Sequence, residues 1–292
     1  MKKINIAIKN KTKLTKELEK LYDVTYYKKQ SLLSKLIFKS KTNPDIYFQQ
    51  GSLNKNALEM IESSKLTLVN SNGIKELILD KIPSIDKNKI HILYPYINHT
   101  IEYDEQIKIE FRKEYSIPED TRLILFTAND LNTSGIKIFL KIMSNIEEKN
   151  FKVIVQSDSK QIEQLKLLVN RLKVKYQVIM IDNSKSKDEL FIISDIFVLP
   201  TKQKSYATNI LKAMYYKNAV FLPQSNYASE IIDTFSIMNS ADDPTIPFKI
   251  DALLSNIVEL EQIAQINQEM SESFDFNSRL NIINSIITNN LD

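Results

Sequence analysis

The sequence predicts an α/β fold made of two domains, each built on a parallel sheet. Apolar strand patterns alternate with amphipathic helix patterns along most of the chain, which is typical of parallel sheets covered by helices. The length of 292 residues and the 43% hydrophobic content are sufficient for two buried cores. We place the boundary so that residues 1–98 form a small first domain and residues 99–292 form a second domain that includes the terminal helices.

The first domain is predicted from short apolar runs that are separated by helical patterns. Its strands are predicted at residues 4–8, 23–27, 44–49, 66–71 and 89–95. Its helices are predicted at residues 12–22, 31–39, 54–64 and 73–80. A further helix at residues 101–115, stopped by Ile117 and Pro118, opens the second domain.

The second domain repeats the alternation with longer elements. Its strands are predicted at residues 121–128, 151–157, 176–181, 195–201 and 219–224. Its helices are predicted at residues 136–149, 160–173, 185–194, 206–217, 229–235, about 248–272 and 276–290. Because strand and helix continue to alternate, this domain also predicts a parallel sheet.

The composition excludes several classes of site. The absence of cysteine excludes disulfides, thiolate metal sites and cysteine nucleophiles. With only His91 and His99, a histidine-built metal centre or a Ser-His-Asp triad is not expected. We interpret His91 as structural and His99 as a solvated loop residue. Only three glycines occur, which leaves few positions where backbone could approach a phosphate closely.

Two acidic pairs, Asp104-Glu105 and Asp242-Asp243, fall in predicted loops. Paired acids can hold a divalent cation, but no further oxygen ligands follow at a suitable spacing. We therefore interpret both pairs as solvated turns and predict no metal. The N-terminus lacks the apolar stretch of a signal peptide, and no window suits a membrane span, so the expected location is the cytoplasm.

The charge distribution indicates a local anionic partner. Residues 1–41 carry a net charge of +9, whereas the rest of the chain carries −6. Residues 26–41 interleave aromatic and aliphatic side chains with lysines, including Lys28, Lys29, Lys35 and Lys39. One interpretation is a surface for anionic lipid on the inner face of the membrane. The other is an ordinary helix with a solvated basic face. Nucleic acid is a weaker candidate, because the segment lacks arginine.

Four segments carry a family resemblance. EFRKEYSIPEDTRLIL at 110–125 resembles the start of the second domain of GT-B glycosyltransferases. DELFIISDIFVLPTKQKSYATNILKAMYYKNAVFLPQSNYASEII at 188–232 resembles, without a gap, the donor-site segment of family-4 glycosyltransferases. The stretches 65–79 and 90–100 resemble the last strand of the first domain and the connection that follows it, and 273–291 resembles the terminal helix. The resemblance implies two Rossmann-like domains with a cleft between them, the first one reduced.

The same resemblance places several replacements in the donor site. Two glutamates of the family, which contact the sugar and the donor ribose, correspond to Lys204 and Lys212. An ammonium group cannot accept hydrogen bonds from hydroxyls, as a carboxylate does. The glycine-arginine pair of the family falls on Ala128 and Asn129, and its diphosphate-binding lysine falls on Ser134.

Three other glycines of the family are also replaced. The glycine near the end of the fourth helix is Lys217, and the double glycine before the closing glutamate is Asn226-Tyr227. Gly135 and Glu230 are retained. If a donor binds, the resemblance implies that the donor site is lined by Asn129, Ser134, Gly135, Lys204, Lys212 and Glu230.

The replacements leave three functions as alternatives. The first, which we favour, is a non-catalytic or partner-dependent component of glycoconjugate synthesis that assists a transferase subunit. The second is an active retaining transferase, which moves a hexose from a nucleotide sugar to a glycoconjugate acceptor. The third is a membrane-surface or ligand-binding module. None of them requires a cofactor, and the expected small-molecule ligand is a nucleotide sugar.

Overall fold

The computed structural model describes residues 1–27 and 43–291. The predicted helix at 31–39 and the four lysines Lys28, Lys29, Lys35 and Lys39 lie outside the described residues. The chain divides into two compact units, one formed by Met1–Tyr96 with Phe274–Asp292 and the other by Ile97–Ser273. None of the helices in the described ranges is long and apolar enough to cross a membrane.

The first unit contains a five-stranded sheet in the order β2-β1-β3-β4-β5, in which all neighbours are parallel. Its strands are β1 (Lys3–Ala7), β2 (Asp23–Tyr26), β3 (Ile46–Phe48), β4 (Leu66–Val69) and β5 (Ile90–Ile92). Its helices are α1 (Lys13–Leu21), α2 (Lys55–Ser63) and α3 (Asn72–Lys81), with a short 3₁₀ helix at Lys87–Lys89. The strands are short apolar runs, as the sequence predicts for a sheet with helices on its faces.

The terminal helix belongs to the first unit. Helix α11 (Phe276–Asn290) begins at Asp275, whose carboxylate accepts hydrogen bonds from the first helical N–H groups. Its residues Ile283 and Ile287 are fully buried among Ile4, Leu18 and other core residues of this unit. The predicted division at residue 98 had placed this helix in the second domain. The difference arises because the apolar stripe of a helix does not reveal which sheet it covers.

The second unit contains a six-stranded parallel sheet in the order β11-β10-β9-β6-β7-β8. Its strands are β6 (Arg122–Thr127), β7 (Phe151–Gln156), β8 (Val178–Ile181), β9 (Ile196–Val198), β10 (Ala219–Pro223) and β11 (Ile237–Met238). The chain runs from β6 outward to β8 and then returns to lay β9 against the other side of β6. In open α/β sheets, ligands bind outside the carboxyl ends of the strands at such a reversal.

The helices of the second unit largely follow the sequence pattern. They are α4 (Glu105–Glu114), α5 (Ile136–Ser144), α6 (Ser159–Leu172), α7 (Lys187–Ile193), α8 (Asn209–Tyr215), α9 (Ile246–Ser255) and α10 (Ile257–Glu272). Two predictions were wrong. The segment 229–235 forms the 3₁₀ turn Tyr227–Ile231, and the long helix predicted at 248–272 is broken at Asn256, whose side chain caps α10.

Candidate functional site

A cavity of about 240 Å³ lies in the second unit, at the carboxyl ends of β6 and β9. Amide and hydroxyl side chains dominate its lining, which includes Asn129, Ser134, Thr201, Gln203, Asn209 and Asn226. Among its described lining residues, Asp130 is the only charged one. The Asp130 carboxylate accepts hydrogen bonds from the Thr133 backbone N–H and hydroxyl, which hold its pKa below the ordinary value. The cavity therefore offers neutral hydrogen-bonding groups and one acid.

Gly135 fixes the wall of this cavity. It has a φ of +96° and directly precedes α5. A Cβ atom at this position would lie 2.1 Å from the Pro200 carbonyl oxygen, in the turn that follows β9. The close approach brings the end of β9 against the start of α5. Gly135 is therefore required by the backbone geometry here, independently of any ligand.

Asn226 holds the loop that forms the opposite wall. Its side chain is 1% exposed, and its amide nitrogen donates to the Gln203 carbonyl at 3.1 Å. Its amide oxygen accepts from the backbone N–H groups of Ala207 and Ala228, each at 3.1 Å. The side chain therefore ties the loop after β9 to the turn after β10, in place of the glycine that the resemblance expects.

Lys212, on α8, is engaged by a buried acid. Its ammonium donates to Asp188 Oδ1 at 2.5 Å, and the Asp188 side chain is only 2% exposed. The other oxygen, Asp188 Oδ2, accepts from the Thr100 backbone N–H at 2.6 Å and from the Thr100 hydroxyl at 2.9 Å. Burial acts to raise the pKa of Asp188, but the hydrogen bonds from Lys212 and Thr100 outweigh it and keep the pKa below its ordinary value. Lys212 is thus neutralised within the protein.

A second lysine reaches the rim of the cavity from α7. The Lys187 ammonium donates to Asn129 Oδ1 at 3.1 Å. Burial lowers the pKa of Lys187, and the neighbouring charge of Lys212 lowers it further. Lys187 therefore places a partly buried cation beside Asn129, the position to which the family resemblance assigns an arginine.

Only some of the predicted donor-site residues lie at the cavity. Ser134 lines it, and Gly135 shapes it. Lys204 and Glu230 are exposed, and neither lies among the lining residues. The structure therefore brings together Asn129, Ser134 and Gly135, while Lys212 turns toward Asp188.

Comparison with known proteins decides the family. The family model for group 1 glycosyl transferases matches residues 107–269, which is more than half of the chain. This chain belongs to that family. A relative from Methanocaldococcus jannaschii, described as an uncharacterized glycosyltransferase, is 25% identical over 181 residues. The match covers 60% of this chain and 46% of that protein, so the chain spans about half the length of this relative.

Solved glycosyltransferase structures share the fold. HepE of Anabaena, in complex with UDP, has a TM-score of 0.76 at 11% identity, over 99% of this chain and 100% of that one. A glycosyltransferase from Rickettsia africae has a TM-score of 0.70 at 18% identity, over 97% and 89% of the two chains. WaaG, a glycosyltransferase involved in lipopolysaccharide biosynthesis, has a TM-score of 0.68 at 12% identity, over 97% and 99%. The predicted GT-B type, with two Rossmann-like domains, is confirmed.

In this member of the group 1 family, sequence reasoning missed the partners of the lysines. Asp188 lies 24 positions before Lys212, and Thr100 lies 88 positions before Asp188. No local pattern signals either contact. In the sequence, Asp188 is distinguished only as the first residue of the segment that resembles the family, and Lys187 directly precedes that segment.

His99 is not the solvated loop residue that the sequence indicated. Its side chain is 28% exposed, and its ring stacks on the Tyr215 ring with centroids 4.5 Å apart. Its Nε2 lies 3.1 Å from Glu102 Oε1, while the Tyr215 hydroxyl donates to Glu102 Oε2 at 2.9 Å. These contacts fasten the segment after residue 97 to α8. His91 lies in β5, where burial and the charge of Lys75 lower its pKa and thereby favour the neutral imidazole.

One acid of each acidic pair accepts hydrogen bonds from nearby backbone N–H groups. Asp104 accepts from the Gln106 N–H at the start of α4, and Glu105 accepts from the Tyr103 hydroxyl. Asp242 is exposed, but Asp243 is buried and accepts from the backbone of Asn239 and Thr245. The interpretation of Asp243 as solvated was therefore wrong. No group of three or more potential metal ligands occurs in residues 1–27 and 43–291.

Proposed function

We propose that this protein is a group 1 glycosyltransferase relative that does not use a nucleotide-sugar donor and acts as a non-catalytic component of glycoconjugate synthesis. The observation that carries the proposal is the ion pair between Lys212 and Asp188. A family carboxylate that accepts hydrogen bonds from the donor is replaced here by an ammonium group, which is already engaged by a buried acid.

The charge of the cavity supports the same proposal. A donor diphosphate carries about two negative charges and needs cations as counterweight. The described residues that line the cavity include one acid, Asp130, and no lysine or arginine. Each charge-assisted hydrogen bond contributes about 1.5–3 kcal/mol, so the lack of two such partners weakens diphosphate binding by several kcal/mol.

Nucleotide binding and turnover test this proposal. The purified chain is heated with saturating UDP, GDP and their hexose conjugates, and release of free nucleotide is measured in parallel. A ligand at about 100 times its dissociation constant adds about 2.7 kcal/mol of stability, so binding would produce a clear rise in Tm. We expect no rise and no nucleotide release. A rise with any nucleotide sugar, together with turnover, would establish the active retaining transferase instead.

The active transferase is kept as a second candidate because of Lys187. Its ammonium lies 3.1 Å from Asn129, beside the position of the missing arginine. If Lys187 replaces that arginine, Lys187→Gln abolishes any nucleotide binding that the panel detects. Lys113→Gln, which removes an exposed lysine of the same unit, is the matched control.

The membrane-surface role and the partner subunit stay predictions. The membrane role of Lys28, Lys29, Lys35 and Lys39 is tested by co-sedimentation with vesicles that contain anionic lipid, where replacing all four by glutamine is expected to abolish binding. Unchanged sedimentation of that variant would exclude the segment as a membrane surface. A transferase partner is tested by adding this chain to a purified transferase and measuring whether its rate increases.

A further inference from the structure

The rim of the cavity carries a cation that the protein does not balance. Lys187 is partly buried, and its hydrogen bond is to the neutral oxygen Oδ1 of Asn129. Within the part of the chain that the structure describes, no carboxylate lies at ion-pair distance from Lys187. Burial lowers the pKa of this ammonium group, because the charged form loses its hydration and no anion in that part of the chain replaces that stabilisation.

Among the described residues, the charges around Lys187 leave one positive charge without a partner at ion-pair distance. The nearby Lys212 is offset by Asp188, whose carboxylate lies 2.5 Å from the Lys212 ammonium. The Asp130 carboxylate at the cavity lining accepts hydrogen bonds from the neutral N–H and hydroxyl of Thr133 and keeps its negative charge. A ligand group with one negative charge would therefore find one cation in Lys187, whereas the two charges of a diphosphate would exceed the cations available and would also be repelled by Asp130.

The size of the cavity also favours a ligand smaller than a nucleotide sugar. Its volume of about 240 Å³ falls below the range of roughly 300–1,000 Å³ that is typical of pockets for drug-sized ligands. Because the Asn129 oxygen faces Lys187, its amide nitrogen is left to donate toward a ligand. Ser134 and Asn209 add further neutral hydrogen-bonding groups.

We propose that this cavity binds a hexose-sized molecule with one singly charged anionic group, a carboxylate, and that Lys187 binds the carboxylate while Asn129 and Ser134 bind hydroxyls. The inference rests on the proposed function, because it assigns the cavity to a ligand other than a nucleotide sugar. Lys187 and its role as the anion-binding residue do not correspond to any of the donor-site positions that the family resemblance supplies.

Titration calorimetry on the full chain tests the inference with four probes. These are glucuronate, glucose 6-phosphate, neutral glucose and inorganic phosphate. We expect binding of glucuronate, with glucose 6-phosphate, glucose and inorganic phosphate each at least tenfold weaker. Glucose 6-phosphate tests the charge argument, because its phosphate carries about 1.5–2 negative charges at pH 7, whereas the carboxylate of glucuronate carries one.

Two variants remove the cation in different ways. Lys187→Gln deletes the charge, and Asn129→Asp places a carboxylate next to the ammonium and neutralises it without deleting a side chain. Each is expected to weaken binding of the anionic hexose about ten- to hundredfold. Because Asn129→Asp forms a new ion pair, it should lose binding without any fall in Tm. Lys113→Gln, the control, should bind as the wild type does.

The results that would contradict this inference differ from those that would contradict the proposed function. The inference is overturned if the wild type does not bind glucuronate, if both variants bind glucuronate as well as the wild type, or if glucose 6-phosphate or inorganic phosphate binds as tightly as glucuronate. None of these results would restore nucleotide-sugar transfer. Turnover of a nucleotide sugar by the same preparation would instead overturn the proposed function.

Discussion

The ammonium group of Lys212, on α8, lies 2.5 Å from the carboxylate of Asp188, at the start of α7. The family resemblance predicts a carboxylate at the position of Lys212, so it implies that the sign of the charge is reversed there. The reversal is balanced locally, because Asp188 is buried and also accepts two hydrogen bonds from Thr100. The pair therefore stabilises the second unit whether or not a ligand is present.

Replacing Asp188 by asparagine should destabilise the protein by about 2–3 kcal/mol. Removing one partner of a buried pair costs about 3–5 kcal/mol, and the cost is smaller here because Lys212 is 21% exposed. The measurement is urea denaturation. As a control, Glu114→Gln breaks an exposed pair with Lys185 and should cost less than about 1 kcal/mol. Equal effects of the two changes would contradict a stabilising role for the Asp188 pair.

The effect of Asp188 should depend on pH. Burial acts to raise its pKa, but the hydrogen bonds from Lys212 and Thr100 bring the folded value below the unfolded value, which is about 3.9. The stabilisation is therefore fully present above about pH 5 and is lost as the pH falls through the folded pKa. The gap in unfolding free energy between wild type and Asp188→Asn should be constant from pH 7 to 5 and should narrow below about pH 4. A gap that persists to pH 3 would show that charge is not its source.

The pair also illustrates what the sequence could and could not predict. Apart from the two-residue edge strand β11, which was not predicted, the strands of both sheets were predictable, because buried parallel strands such as β6 and β10 are continuous apolar runs. The contacts of Lys212 were not, because they join residues that are distant in sequence and that only the fold brings together. The unit to which α11 belongs was missed for the same reason. Asn226 was interpreted as the loss of a glycine, since its three loop contacts are visible only in three dimensions.

Gly135→Ala should be strongly destabilising, by about 3 kcal/mol or more. The new Cβ would lie 2.1 Å from the Pro200 carbonyl oxygen, and the φ of +96° is unfavourable for alanine. Gly51→Ala is the matched control, because Gly51 has a φ of +82° but no atom within 4 Å of the added Cβ. It should cost only the backbone term of about 1–2 kcal/mol. Similar losses in the two variants, measured by urea denaturation, would contradict the steric role of Pro200.

Asn226→Ala should cost about 2–3 kcal/mol. The change removes three hydrogen bonds, to Gln203, Ala207 and Ala228, and each contributes about 1 kcal/mol. Asn226→Gly, which restores the residue type of the family, should be no better, because it leaves the same backbone groups without their partner. Hydrogen exchange of the Ala207 and Ala228 amides is the direct measurement, and both should exchange faster in either variant. Unchanged protection of these amides would show that the side chain does not hold the loop.

Lys217→Gly should increase the free energy of unfolding slightly, although it removes a charged side chain. Lys217 follows α8 with a φ of +60°, where a side chain costs about 1–2 kcal/mol and glycine adopts the conformation freely. Glycine also increases the entropy of the unfolded chain, which costs about 0.5–1 kcal/mol of stability. After this cost is subtracted from the relief of the left-handed conformation, the net backbone gain is about 0.5–1 kcal/mol. Part of it is offset because the Lys217 ammonium lies 5.5 Å from the centre of the Tyr103 ring.

Lys173 separates the backbone effect at Lys217 from the ring contact. It ends α6 with a φ of +50° and makes none of the cation–π contacts found among the described residues. Lys173→Gly should therefore gain the full backbone term, and the shortfall of Lys217→Gly against it measures the contact with Tyr103. Repeating both changes in a Tyr103→Leu background should make the two gains equal. If Lys217→Gly still lags by the same amount there, the left-handed lysine is held by something other than the aromatic ring.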